Sequence, residues 1–173
     1  MNNLFLTGKK GVGKSTIINK IIEKVNCSIG GYITEKQVEN NIKTFTIISL
    51  YNNKDRYPIA KINEKNFEKK IFTDNFKHHI PLTLDKSLKN RDLIILDELG
   101  FMENNIEPFT GKIYEILDSN NVVFGVLKDY NCTFLNNIKS RDDVLVIEIT
   151  QNNRDTIEQE IINILKEINV PFK

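Results

Sequence analysis

Apolar residues recur along this chain in two alternating rhythms. Residues 3–7, NLFLT, make a short apolar run of strand length. Residues 14–25 follow with Ile17, Ile18, Ile21, Ile22 and Val25 on one face, the spacing of an amphipathic helix. Residues 27–36, CSIGGYITEK, and 42–51, IKTFTIISLY, read as two strands joined by QVENN, close enough in sequence to pair as an antiparallel hairpin. Residues 57–62, YPIAKI, extend that β-rich stretch with a third strand. From 63 to 90 the pattern is weak: EKNFEKK is a charged, solvated stretch, and TLDKSLKN has the character of a helix end. DLIILD, residues 92–97, is a continuous apolar run closed by an acid, as a parallel strand covered on both faces requires. A helix over 107–119, the strand NVVFGVL, a helix over 132–140 and the strand VLVIEIT follow. A closing helix carries Ile157, Ile161, Ile162, Leu165 and Ile168.

Strand and helix signals that alternate in this way predict an α/β domain, with a mostly parallel central sheet flanked by helices and an antiparallel β insertion after the first helix. No repeat, low-complexity tract or linker divides residues 1–173, so a single domain is expected. Charge adds an exclusion. Lys and Arg number 24 against 23 Asp and Glu, a net charge of +1, and the basic residues are scattered, so nothing draws the chain to nucleic acid or an anionic membrane. Cys27 and Cys132 stand in no metal-ligand spacing, which suits two ordinary thiols in a reducing compartment. No apolar run approaches the roughly 20 residues of a bilayer span, and the first strand begins without a leader pattern ahead of it. A cytoplasmic monomer is the expectation.

Candidate chemistry concentrates at two strand ends. The first strand opens into TGKKGVGKST, residues 7–16, in which Gly8, Gly13, Lys14 and Ser15 fit G-x-x-x-x-G-K-[ST]. In a strand–loop–helix context this pattern is a P-loop. Backbone N–H groups across Gly8, Lys9, Lys10, Gly11, Val12, Gly13, Lys14, Ser15 and Thr16 would curl around the β-phosphate of ATP or another nucleoside triphosphate, where the helix dipole favours anions. Lys14 would bridge the β- and γ-phosphates, and Ser15 would hold Mg²⁺. The second strand end is LIILDELG, where Asp97 is the expected second metal anchor. Glu98, one residue further, is placed to orient or deprotonate an attacking water. Lys14 and Glu98 are therefore the candidate catalytic pair. The expected fold is that of a P-loop NTPase.

GKKGVGKST, GGYITEK, LIILDELGFME and VLVIEITQNNRD resemble, in order and spacing, the THEP-type nucleoside-triphosphatases, the family that includes the cancer-related nucleoside-triphosphatase. The resemblance covers both ends and the centre of the chain but not residues 51–90. Its most specific parts are Asp97, Glu98, Leu99, Gly100, Met102 and Glu103 in the central motif, and Thr150, Asn153, Arg154 and Asp155 before the last helix. It implies Mg²⁺-dependent hydrolysis of nucleoside triphosphates to diphosphates and phosphate, weak discrimination among bases, and a fold related to the RecA-like ATPases. The chain departs from the family pattern at Lys10, where Pro is usual, at Phe101, at Asn104 and Asn105, and at Val126, Leu127 and Lys128, where the family tends to show Thr-Ile-Pro.

Several residues keep two readings at this level. Asn153 and Arg154 lie where P-loop folds often meet the nucleobase, although capping of the last helix explains Asn152, Asn153 and Asp155 nearly as well. Arg141 or Lys139 would suit a cation on the γ-phosphate. Lys9 stands five residues before Lys14, the spacing of a lysine that reaches across a dimer in the deviant P-loop ATPases, and is otherwise a solvated loop residue. His78 and His79 are adjacent and read as surface residues. Two other activities remain beside hydrolysis: a P-loop kinase passing the γ-phosphate to a nucleotide or other small acceptor, and a dimerising ATPase switch. A guanine switch would need [NT]-K-x-D after a late strand, where this chain has VLKDYN.

Overall fold

One eight-stranded sheet organises the described residues, 1–100 and 102–173, of the computed structural model. In chain order come β1 (Asn3–Thr7), α1 (Lys14–Lys24), β2 (Ile29–Glu39), β3 (Ile42–Ser49), β4 (Arg56–Asn63) and β5 (Lys69–Ile71). A π-helical turn (Asn75–His79) leads into α2 (Ile80–Asn90), then β6 (Leu93–Leu99), α3 (Glu107–Leu117), β7 (Val122–Leu127), α4 (Thr133–Lys139), β8 (Val144–Glu148) and α5 (Ile157–Glu167). The strand order is β5-β4-β3-β2-β6-β7-β1-β8. From β2 to β8 neighbouring strands run parallel, whereas β3, β4 and β5 add antiparallel to the outer edge of β2.

Strand alternation divides the core between the two faces of the sheet. Leu4, Leu6, Leu93 and Ile95 join Ile18 and Ile21 of α1 and Ile161 and Leu165 of α5 in one buried cluster. Phe5, Ile94 and Leu96 point the other way, toward Leu84 of α2, Ile113 of α3 and Leu135 of α4. Parallel strands covered on both sides need apolar residues at successive positions, and this is why DLIILD shows no alternation. The arrangement leaves the carboxyl ends of β1, β6 and β7 open together, the place where ligands bind in open α/β sheets.

β2 does two jobs. Residues Ile29 to Tyr32 pair with β6, and from Tyr32 onward the strand pairs with β3 as far as Glu39. The seven residues beyond Tyr32 carry the antiparallel section roughly 20 Å along the strand direction. Its first turn follows directly from the two asparagines: Asn40 and Asn41 take φ of 49° and 62°, and Glu39 pairs with Ile42. Two consecutive positive-φ residues make the twisted two-residue hairpin turn that Asn tolerates better than other side chains.

The weakly patterned stretch from 63 to 90 contains more structure than its sequence predicts. β5 is a three-residue edge strand bearing Lys69 and Lys70, short and charged as an exposed edge should be. The π-helical turn buries Phe76, whose ring meets Phe109 of α3 edge-on at 5.2 Å. That contact ties the insertion to the main body. Replacing Phe76 by Ala removes a fully buried ring, and a loss of about 3–5 kcal/mol in unfolding free energy is expected from urea titration; a loss below about 1 kcal/mol would mean the ring is not an anchor.

Candidate active site

The loop between β1 and α1 is shaped for close backbone approach. Gly8 sits at φ 134°, and a Cβ there would lie 2.3 Å from the Ile149 carbonyl oxygen, so only glycine lets β1 and the chain after β8 meet at this point. Gly13, at φ 110°, caps α1 without a side-chain hydrogen bond. The first-turn amides of that helix therefore face the loop cavity as donors for an anion. Lys14 is only 8% exposed, and its Nζ donates to the carbonyls of Gly8 at 2.7 Å and Lys9 at 2.9 Å. The amine is thus folded back on its own loop, in reach of whatever the loop encloses.

A cavity of about 420 Å³ opens over these residues. Gly8, Lys10, Gly11, Gly13, Ser15 and Thr16 line its floor, with Lys14 among them, and Glu98, Lys128, Asp129 and Phe45 form the far side. Lys9 and Val12 are placed differently. The Val12 side chain is buried in the core and its N–H donates to the Lys9 carbonyl, closing the loop turn. Both residues border a second cavity on the opposite side of the loop.

Ser15 and Asp97 meet although β7 lies between their two strands. Ser15 Oγ donates to Asp97 Oδ1 at 3.2 Å. Asp97 is 2% exposed, and Thr34 donates its hydroxyl to the Asp97 carbonyl. Burial pushes the Asp97 carboxyl up to about 6, against the Ser15 hydrogen bond; neighbouring Glu98 adds to the rise and Lys14 opposes it. The pair has the chemistry of a seat for a divalent cation. Two hard oxygens 3.2 Å apart are near the edge of about 3 Å that adjacent ligands span around octahedral Mg²⁺. Among the described residues no group of three or more His, Cys, Asp or Glu forms a protein-only cage. A hydroxyl and one carboxylate, completed by phosphate and water, is how Mg²⁺ is commonly bound, so these residues fit that ion.

Beyond Asp97 the chain gathers more charge. The Asp97–Glu98 peptide is cis. The Glu98 side chain is about one-third exposed and faces the cavity, with Oε1 3.8 Å from Lys128 Nζ. Lys128 follows the last residue of β7 and therefore stands between the β1 loop and the end of β6. Sequence reasoning missed it; the available signal was its place immediately after a central parallel strand. Glu103 is 3% exposed and accepts a hydrogen bond from the Gly100 N–H. Burial raises its carboxyl to about 7, opposed by backbone hydrogen bonds. Phe101 lies outside the described residues.

The remaining candidates separate cleanly. Arg154 lines the second cavity, of about 510 Å³, together with Lys9, Lys10, Gln151 and the chain after β8. Asn153 is committed to the loop instead: its Oδ1 accepts from the Thr150 N–H at 2.8 Å and its Nδ2 donates to the Glu148 carbonyl. That use matches the structural reading of Asn153, the alternative to a base contact. Arg141 is held away from the phosphate cavity by Asp118 and Asp143 at 2.7–2.8 Å, which removes it as a γ-phosphate cation. Glu35 pairs with Arg56 across the insertion, and His79 stacks on Tyr57.

Residues 3–162 match the family described as NTPase. Curated relatives agree over nearly the full length. The chain is 30% identical to nucleoside-triphosphatase THEP1 of Thermotoga sp. (strain RQ2), covering 94% of this chain and 95% of that one. It is 30% identical to nucleoside-triphosphatase THEP1 of Methanocaldococcus jannaschii over 92% and 95%. Among solved structures, THEP1 from the hyperthermophile Aquifex aeolicus superposes with a TM-score of 0.77 at 25% identity, covering 96% of this chain and 99% of that one.

Glu103 gives the site a pH signature. Its folded value near 7 lies above the ordinary 4.5, so between those values the folded chain keeps a proton that the unfolded chain has lost. Stability accordingly falls as pH rises through that window. Glu103→Gln keeps an acceptor for Gly100 and removes the titration. Unfolding free energies of parent and variant from urea titration should agree near pH 5 and diverge in favour of the variant by up to about 3 kcal/mol near pH 8; parallel curves would show that Glu103 is not the buried acid described.

Proposed function

The chain belongs to the NTPase family and is a nucleoside-triphosphatase, and from that premise we propose that it hydrolyses ATP, GTP, CTP and UTP to diphosphate and phosphate in a Mg²⁺-dependent reaction at the β1–α1 loop. The observation that carries this reading is one cavity lined by Lys14, Ser15 and Glu98, with the buried Asp97 carboxyl hydrogen-bonded to Ser15 at its edge.

Each residue has a separable task. The amides of residues 8–16 cradle the β-phosphate, and Lys14 exchanges the carbonyls of Gly8 and Lys9 for phosphate oxygens. Ser15 and Asp97 would hold Mg²⁺, whose charge would offset that of the phosphates. The Glu98 carboxylate accepts a hydrogen bond from water and takes its proton as oxygen attacks the γ-phosphorus and the bond to the β-phosphate oxygen breaks. Lys128 stands beside Glu98 on the γ-phosphate side and stabilises the equatorial oxygens. The second cavity holds the nucleoside. Its lining mixes the cations Lys9, Lys10 and Arg154 with the polar side chains of Glu148, Thr150, Gln151 and Asn152, groups able to meet donors and acceptors of different bases.

Balanced, scattered charge supports a protein that works without nucleic acid. No helix among the described residues is long and apolar enough to cross a membrane.

Phosphate release from the four triphosphates, with and without Mg²⁺, tests the proposal. Release should need the metal and vary little among bases. Glu98→Gln should lower kcat by roughly 100-fold or more while nucleotide affinity holds, whereas Lys14→Ala should weaken both. A Glu98→Gln variant that turns over at the parental rate would remove Glu98 from the mechanism.

A further inference from the structure

The antiparallel section ends against Glu98, and most of the surface it presents there is carbon, with Thr34 and Lys69 at its polar margin. Phe45 of β3, Ile59 and Ile62 of β4 and Phe76 of the π-helical turn, with Met102 opposite, enclose a pocket of about 110 Å³. That is on the scale of cavities that accept a single six-membered ring. The pocket and the phosphate cavity share Phe45, Glu98 and Lys128. A molecule seated in the pocket would thus touch the same carboxylate that faces the γ-phosphate position. Water attack needs no such wall. An apolar enclosure beside the nucleophile's base displaces water and binds carbon.

Two further features define the occupant. Glu98, Glu103, Lys69 and Lys128 line the pocket, two carboxyl groups against two ammonium groups; with Glu103 raised to about 7 and partly protonated, the lining stays within about one charge of neutral and favours an occupant without strong net charge. Glu103 is buried and held by the Gly100 N–H, which fixes a carboxyl group against the ring-sized space to pair with a polar substituent.

Resting on the nucleotide site described above, we propose that this pocket binds a neutral, ring-sized alcohol and that the chain transfers the γ-phosphoryl group to its hydroxyl. The alcohol oxygen forms a bond to the γ-phosphorus, the bond from that phosphorus to the β-phosphate oxygen breaks, and the hydroxyl proton passes to Glu98 and then to solvent. The products are a phosphate monoester, a nucleoside diphosphate and a proton. Water takes the place of the alcohol when the pocket holds none, so hydrolysis and transfer share one base.

Benzyl alcohol, neutral with one ring and one primary hydroxyl, is a suitable probe. With ATP and Mg²⁺ present, ³¹P NMR should show benzyl phosphate rising to saturation with alcohol concentration. Inorganic phosphate should fall about twofold or more as the bound nucleophile replaces water. Ile62→Trp, which fills the pocket from β4, should cut the ester about tenfold. Its phosphate release without alcohol reports an intact nucleotide site, and Ile62→Phe replaces it if that release is lost. Unchanged phosphate release with no ester overturns the proposal, as does equal ester formation by the filled variant. Slower release without ester overturns the transfer step. Absence of phosphate release from the parent under every condition overturns the nucleotide-site reading, and the pocket proposal falls with it.

Discussion

A single polar contact, Ser15 to Asp97, joins two segments 82 residues apart and decides where chemistry can occur. It spans the end of β7, because that strand lies between β1 and β6. The gap leaves room for a triphosphate between the glycine loop and the acidic strand end, with Lys128 at its back. A buried carboxylate is costly to ionise. Asp97 is tolerated because the Ser15 hydroxyl and Lys14 partly compensate its burial, and a divalent cation would complete that compensation. The same pressure holds Lys14 against the Gly8 and Lys9 carbonyls, the nearest acceptors when no phosphate is bound.

Around this contact the sheet works as two devices. The parallel strands fix the loop, the Ser15 and Asp97 oxygens and Glu98 on elements packed from both faces, so their spacing is set by core geometry and not by loop conformation. The antiparallel section, carried past the parallel strands by the long β2, supplies a wall on the γ-phosphate side. In the proposed reactions, phosphate binding and the choice of nucleophile are assigned to different parts of the chain. The first depends on β1 and α1; the second depends on how β3, β4 and the Phe76 turn lie against residues 98–103.

The strand and helix order was legible because each element has a strong local pattern. NLFLT, DLIILD and the Ile17–Ile21 spacing of α1 declare their periods within a few residues. The insertion was legible as strands, and its first turn follows from Asn40 and Asn41. β5 and the Phe76 turn were not, since a three-residue strand and one buried ring leave no period to read. The site divided along the same line. The Ser15–Asp97 meeting was expected from two motifs and is observed. The fates of Arg141, Asn153 and Lys128 were hidden because each depends on long-range partners or on strand order: Asp118 and Asp143 for Arg141, the Glu148 carbonyl for Asn153, and the neighbouring β1 and β6 for Lys128.

The central claim is that one cavity brings the glycine loop, the Ser15–Asp97 pair and Glu98 onto the same triphosphate. A crystal structure with Mg²⁺ and a non-hydrolysable ATP analogue tests it most directly. The account predicts phosphates along the amides of residues 8–16 and Lys14 Nζ moved from the Gly8 and Lys9 carbonyls to phosphate oxygens. It also predicts the cation beside Ser15 and Asp97, and Glu98 facing the γ-phosphate. A triphosphate bound elsewhere, or Lys14 still on those carbonyls with the analogue in place, would contradict it.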